Sequence, residues 1–190
     1  SSDLLFGAMY AHLDFRTYDP SGEIVTLKFD RALTAINSEV PDAYFESSLS
    51  SLFHLFSNKQ IRVLLDSPGG QVWRKIAIFD AIDTIEQSNV TAYLPKGAYC
   101  ASACAMIFLY IGDRMCEKGS KIGLHSVHIH GFSLSTATNE SVMQLLTRHK
   151  SQAPKGWIMQ QYLKGAFQSV EMTDYTCEEL VQNNIATFVE

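Results

Sequence analysis

The chain has 190 residues, 46% of them apolar, with 15 basic against 20 acidic side chains for a formal charge of −5; this suits one compact domain whose core needs neither metal nor disulfide to fold. No basic cluster follows a helix or a loop, so nucleic acid is not expected as a partner. The longest apolar block, residues 100–111, falls well short of the roughly 20 residues that span a bilayer, and four cysteines without a Cys-x-x-Cys pair make neither a zinc pattern nor a disulfide scaffold.

Read from the N-terminus, residues 4–16 form a mixed apolar segment, and Tyr18-Asp-Pro-Ser-Gly22 carries Pro and Gly in turn roles. Ile24-Val-Thr-Leu-Lys-Phe29 alternates apolar with other residues and predicts the first strand of the main sheet. Pro41 fits a helix's first turn, and Phe45, Leu49, Leu52, Phe53 and Phe56 follow at helical spacing, predicting an amphipathic helix over about 41–57. Ile61-Arg-Val-Leu-Leu65 is nearly continuous and apolar, as in a strand buried on both faces. It ends at Asp66-Ser-Pro-Gly-Gly70, where two glycines permit a backbone that other residues resist and let a substrate approach bare N–H groups. A plain tight turn would use the same letters. The next helix carries Val72, Ile76, Phe79 and Ile82 on one face and runs to about Gln87.

Val90–Leu94 is β-capable, and the apolar block that follows contains Cys100-Ala-Ser-Ala-Cys104. Ser102 therefore stands where a strand turns into a buried helix, flanked by residues small enough for a sharp turn, in the logic of a nucleophile elbow. A helix beginning there aims unpaired N–H groups and its positive end at whatever the hydroxyl attacks, which favours an oxyanion. A serine at this place also serves as an ordinary helix cap or close-packing residue. Cys100 would belong to the incoming strand and Cys104 to the helix, so neither shares the tip of the turn; structural thiols, or a disulfide involving Cys116, are the expectation. Strand, glycine turn and helix at 61–87 and strand, small-residue turn and helix at 90–111 together predict repeated βαβ units with parallel strands. In such sheets the site lies at the carboxyl ends of the strands.

Turns are expected around Gly112-Asp-Arg114 and at Glu117-Lys-Gly-Ser120, followed by a short strand, Lys121-Ile-Gly-Leu-His125, that ends in a histidine on the same edge as Ser102. Histidine is the usual proton acceptor for a serine hydroxyl. His128 and His130 would share a face of an extended segment, yet no carboxylate or cysteine stands at fitting spacing, so neither a metal nor a cofactor is expected. His12, His54 and His149 read as surface or helix-flank residues. A polar loop over 133–139 leads to a helix with Val142, Leu145, Leu146 and His149 on one side. After Ser151-Gln-Ala-Pro154 comes a second helix with Ile158, Tyr162 and Ala166, so the two make a hairpin. Trp157, Tyr162 and Phe167 suit a subunit contact or packing onto their own domain equally. Thr176-Cys-Glu-Glu179 is a capping box, Asn183-Asn184 a left-handed stop, and residues 185–189 a closing strand.

Asp66-Ser-Pro-Gly-Gly70, the Ala-Ser-Ala around Ser102 and His125 downstream of it, in that order, resemble the ClpP-like serine peptidases of the ClpP/crotonase superfamily, and more closely the bacterial ClpP-like proteins with Cys-x-Ser-Ala-Cys at the nucleophile and Gly-x-His at the base. The resemblance covers residues 24–189. It implies an α/β spiral of ββα units with a parallel sheet, a single domain over 1–190, and a helical handle inserted at 131–170 that packs subunits into a homo-oligomer. It implies Ser102 as nucleophile, His125 as general base, and an oxyanion hole from the N–H groups of Gly70 or Gly69 and of Ala103. Members usually place an acid before the last helix to orient the base. Asp174 is preferred over Glu171 here, although matching the capping box puts the position nearer Met172; a backbone carbonyl or water could complete a dyad instead. The expected substrate is a peptide or unfolded protein, and energy-dependent unfolding would require another chain.

The close relatives suggest an exported or periplasmic bacterial protein, and an oxidised cysteine pair would agree. The expected function is a serine hydrolase acting on peptide bonds. The alternatives are a non-proteolytic crotonase-like protein that holds an acyl group or thioester, and an oligomeric scaffold with a vestigial site.

Overall fold

Alternation of apolar and polar side chains builds the central sheet. The computed structural model describes residues 16–18, 22–30, 42–70 and 72–190; the segment 4–16 apart from Arg16, His12, most of the turn at 18–22, Pro41 and the side chains of Phe45 and Val72 lie outside the described residues. Strand β1 (Arg16–Tyr18) pairs antiparallel with β2 (Ile24–Phe29). Strands β2, β3 (Gln60–Leu65), β4 (Val90–Leu94), β6 (Asp113–Glu117) and β11 (Thr187–Val189) then run parallel in the order β1-β2-β3-β4-β6-β11. Val25, Leu27 and Phe29, Ile61, Val63 and Leu65, and Val90, Ala92 and Leu94 all turn inward and are almost fully buried. β3 is thus covered completely on one face only: Arg62 and Leu64 are half-buried, with the Arg62 guanidinium stacked 4.5 Å over the Tyr93 ring. The run looked doubly buried because Leu64 faces the partly covered side.

Helices α1 (Asp42–Leu55), α2 (Val72–Asp83) and α3 (Ala103–Tyr110) cover the apolar face, α1 against α2 and α2 against α3. Every residue of α3 is buried, as expected for an apolar helix with no polar face. α2 ends at Asp83, short of the expected Gln87, and Gln87–Asn89 form a separate 3₁₀ turn.

A second sheet, in the order β10-β7-β5, carries the strands that deliver the candidate site. β5 (Tyr99–Ala101) lies parallel to β7 (Lys121–Leu124), and β10 (Thr173–Thr176) pairs antiparallel with β7 on the other side. The strand leading into Ser102 is therefore β5 rather than Val90–Leu94. The expected turn at 112–114 is instead the start of β6, where the buried Arg114 sends Nε to the Ile185 carbonyl at 2.6 Å.

β8 (His128–Ile129) and β9 (Phe132–Ser133) form a small hairpin. Helix α4 (Ser135–Thr147) starts within the expected polar loop and ends before His149; α5 (Lys155–Leu163) follows, giving the two helices of the insertion. Phe167 is fully buried and Trp157 and Tyr162 lie half-buried against the core, so these aromatic residues pack onto their own domain. Helix α6 (Cys177–Gln182) opens with the expected capping box: Glu179 N–H donates to Thr176 Oγ1 at 3.2 Å, and Thr176 N–H to Glu179 Oε2 at 2.9 Å. Asn184 takes the expected positive φ, 57°. All four cysteines are paired, Cys116 of β6 with Cys177 and Cys100 with Cys104.

Candidate active site

Ser102 occupies the single residue between β5 and α3, with φ 59° and ψ −123°. A non-glycine residue held there costs on the order of 1–3 kcal/mol and persists only where its surroundings fix it. Those surroundings are visible: Ser102 N–H donates to the Gly123 carbonyl at 2.9 Å, Ala101 N–H to the Ser67 carbonyl at 2.9 Å, and the Cys100–Cys104 disulfide closes over the turn. The Ser102 hydroxyl makes no capping bond to α3. Ser102 holds the N-cap position through its carbonyl, which accepts from Met106 N–H at 3.2 Å, while its hydroxyl is left for other chemistry.

Gly69 explains the glycine pair. Its φ is +93°, and a Cβ there would lie 2.6 Å from the Ala101 carbonyl oxygen, 2.8 Å from Ser102 Cβ and 3.0 Å from Ala103 N. The Asp66–Gly70 turn and the serine turn thus meet at van der Waals distance only because the side chain is missing. Gly69 N–H is bonded to Ser67 Oγ at 3.1 Å, whereas Gly70 and Ala103 line the cavity beside Ser102.

β5 and β7 are parallel neighbours, Ala101 opposite Gly123, so the residues just past their ends, Ser102 and His125, emerge on the same edge. Both line one cavity of about 260 Å³ with Gly70, Ala103, Lys75 and Met106. His125 is half-buried, and its pKa falls below the ordinary 6.5, chiefly because burial disfavours the imidazolium and also because His128 stands nearby; a hydrogen bond to the Val170 backbone opposes the shift. The two imidazoles meet edge to face with centroids 4.8 Å apart. A ring nitrogen bonded to a backbone carbonyl is an N–H, which leaves the other nitrogen as a proton acceptor. His130 sits in the β8–β9 turn at φ 49°.

The expected acid is engaged elsewhere. Asp174 Oδ1 accepts from Tyr99 Oη at 2.6 Å and Oδ2 pairs with Lys121 Nζ at 3.2 Å. Burial together with this carboxylate pushes the Tyr99 phenol up to about 12. In the β7–β10 register Thr173 faces Leu124, so the place opposite His125 falls to Met172, whose side chain lies over Gly123 within 2.7 Å of where a Cβ would be. Glu171 is exposed, its N–H on Ser169 Oγ at 3.0 Å.

Two groups escape a reading of motifs. The Val170 main chain offers no side-chain signal. Lys75 offered one, because it falls on the stripe that runs through Val72, Ile76 and Phe79, where an apolar residue belongs; it is 2% exposed and reaches the cavity.

A serine at a strained strand-to-helix turn, a histidine at the end of the adjoining parallel strand and a glycine turn pressed against the serine turn fit a ClpP-like peptidase. The chain belongs to the Clp protease family, whose model matches residues 21–153. Among solved structures it is similar to a mutant of the 1510-N membrane-bound stomatin-specific protease, with a TM-score of 0.54 and 17% identity over 87% of this chain and 77% of that one, a likeness of fold. No curated protein matches the chain.

Proposed function

We propose that the protein is a serine endopeptidase with Ser102 as nucleophile and His125 as general base. The observation that carries this reading is that Ser102, whose hydroxyl is not used as a cap, and His125 leave the ends of two paired parallel strands and line one cavity. Ser102 Oγ attacks the peptide carbonyl as its proton passes to the free nitrogen of His125. The tetrahedral oxyanion is held by the N–H groups of Gly70 and Ala103, each contributing on the order of 3 kcal/mol. Gly69 gives its N–H to Ser67 and serves by its missing side chain. His125 returns the proton to the leaving amine, and water then attacks the acyl ester by the same route. The Val170 carbonyl, rather than Asp174, orients the imidazole.

The substrate class is a peptide or unfolded chain. The insertion at 131–170 is the handle of a homo-oligomer, a reading supported by the exposed Met143, Met159 and Leu163 on α4 and α5. Two disulfides support work in an oxidising compartment. The test is covalent labelling by a fluorophosphonate. The protein labels once, and Ser102→Ala abolishes labelling together with peptide cleavage; a Ser102→Ala protein that still labels rules the assignment out.

A further inference from the structure

The mechanism above leaves a lysine in the cavity unused. Lys75, on α2 five residues past Gly70, is 2% exposed, and among the described residues its Nζ makes one hydrogen bond, to Ser141 Oγ on α4 at 3.1 Å; Ser141 is equally buried. The Phe79 ring lies 5.8 Å from the ammonium. Among the described residues no carboxylate pairs with it and none that lines the cavity is acidic. An ammonium has three donors, and burying a charge without a counter-charge is costly. Burial pulls its pKa down to about 8, which still leaves it mostly charged at neutral pH. The cavity, about 260 Å³, is far larger than the roughly 15 Å³ that one water needs. Its polar end therefore has a fixed positive charge, spare donors and room for a guest.

We propose that this cavity is a carboxylate subsite, in which Lys75 and Ser141 receive an acidic group of the substrate and so select the bond presented to Ser102. The use of the subsite in cleavage rests on the peptidase reading; the binding does not. One chemistry has two sources here, the side chain of a Glu or Asp beside the scissile carbonyl or the free carboxylate at a peptide's end.

The test is equilibrium binding of fluorescent peptides to Ser102→Ala protein, which does not turn over. One pair of peptides differs only in Glu against Gln at the residue whose carbonyl would be attacked, and a second pair only in a free acid against an amide at the C-terminus. A charge-assisted contact in a buried site predicts roughly 10- to 100-fold tighter binding of the acid in one of the pairs, and the pair that discriminates names the source. Adding Lys75→Met removes the preference. Equal affinities within both pairs overturn the proposal without any change at Lys75, so a poorly folding variant does not blunt the test. With Ser102 restored, Lys75→Met retains fluorophosphonate labelling while losing acid selectivity in cleavage. Loss of labelling on Lys75→Met would assign the lysine to activation of the hydroxyl and overturn the subsite, whereas failure of the wild-type protein to label sinks the peptidase reading and leaves the binding result standing.

Discussion

A methyl group added to Gly69 would fall 2.6 Å from the Ala101 carbonyl oxygen and 2.8 Å from Ser102 Cβ, both held by the strained turn and so unable to recede cheaply. Gly69→Ala is expected to move the serine turn away from the glycine turn, to lose about 2–4 kcal/mol of stability, and to reduce kcat/KM by 100-fold or more as the proposed oxyanion donors lose alignment. Denaturant unfolding and peptide hydrolysis check the two effects. A variant as active as the parent would mean that the turns need not touch. In the proposed mechanism His125 sets the pH response. Its depressed pKa keeps it neutral, and competent as a base, at pH values where a free histidine is largely protonated, so the acid limb of kcat/KM is expected to have its midpoint below 6.5. His128 contributes to the depression by like charge. His128→Gln removes that repulsion and is expected to move the limb to higher pH; an unchanged limb would dissociate the two rings electrostatically.

At the scale of elements, β5 and α3 are joined by one residue and clamped by one disulfide. The Cys100–Cys104 bridge, with Cα atoms 5.2 Å apart, spans the strand end, Ser102 and the first turn of α3. The Cys116–Cys177 bridge instead closes a loop with a separation of 61 residues, for which loop-closure entropy gives about 4 kcal/mol against about 2 kcal/mol for the short one. The double substitution Cys116→Ser with Cys177→Ser is thus expected to lower stability more. Cys100→Ser with Cys104→Ser is expected to lower activity more, because it releases the turn that holds the hydroxyl. Unfolding curves and labelling rates measured on both pairs check this crossover. The same elements show how far a sequence can be read. β2, β3, β4 and α3 are apolar and local, and the serine and glycine turns lie at their ends, so both were legible. β6 was not: Gly112-Asp-Arg114 reads as a turn because Arg114 is polar, and Arg114 is buried because the Ile185, Leu109 and Ile111 carbonyls accept its guanidinium. The partner of His125 was hidden for a related reason. It is the Val170 main chain, and the register of β10 on β7 leaves the expected acid, Asp174, on Tyr99 and Lys121.

For the molecule as a whole, the buried Lys75 ammonium couples folding to pH. In the unfolded chain a lysine titrates near 10.5, and in the folded protein near 8, because burial penalises the charged form. Between those values the unfolded state holds the proton and the folded state does not, so this group makes stability rise with pH across the window; below about 8 both states are protonated and the full penalty is felt. The size of the penalty is the shift converted to free energy, about 3 kcal/mol. Tyr99 and Tyr175, raised to about 12, act in the opposite sense from about pH 10 upward, since there the folded state retains protons that the unfolded state has lost. The lysine is therefore read from a difference. Lys75→Met keeps an unbranched side chain one atom shorter and removes the charge, and is expected to exceed the parent protein by about 3 kcal/mol at pH 7, with the gap closing steadily between pH 8 and 10.5. Urea unfolding of both proteins across that range checks it, the tyrosines cancelling because they are common to both. A gap that stayed constant would mean that the ammonium is solvated in the folded state, and with that the electrostatic case for an acid-binding pocket next to Ser102 would go as well.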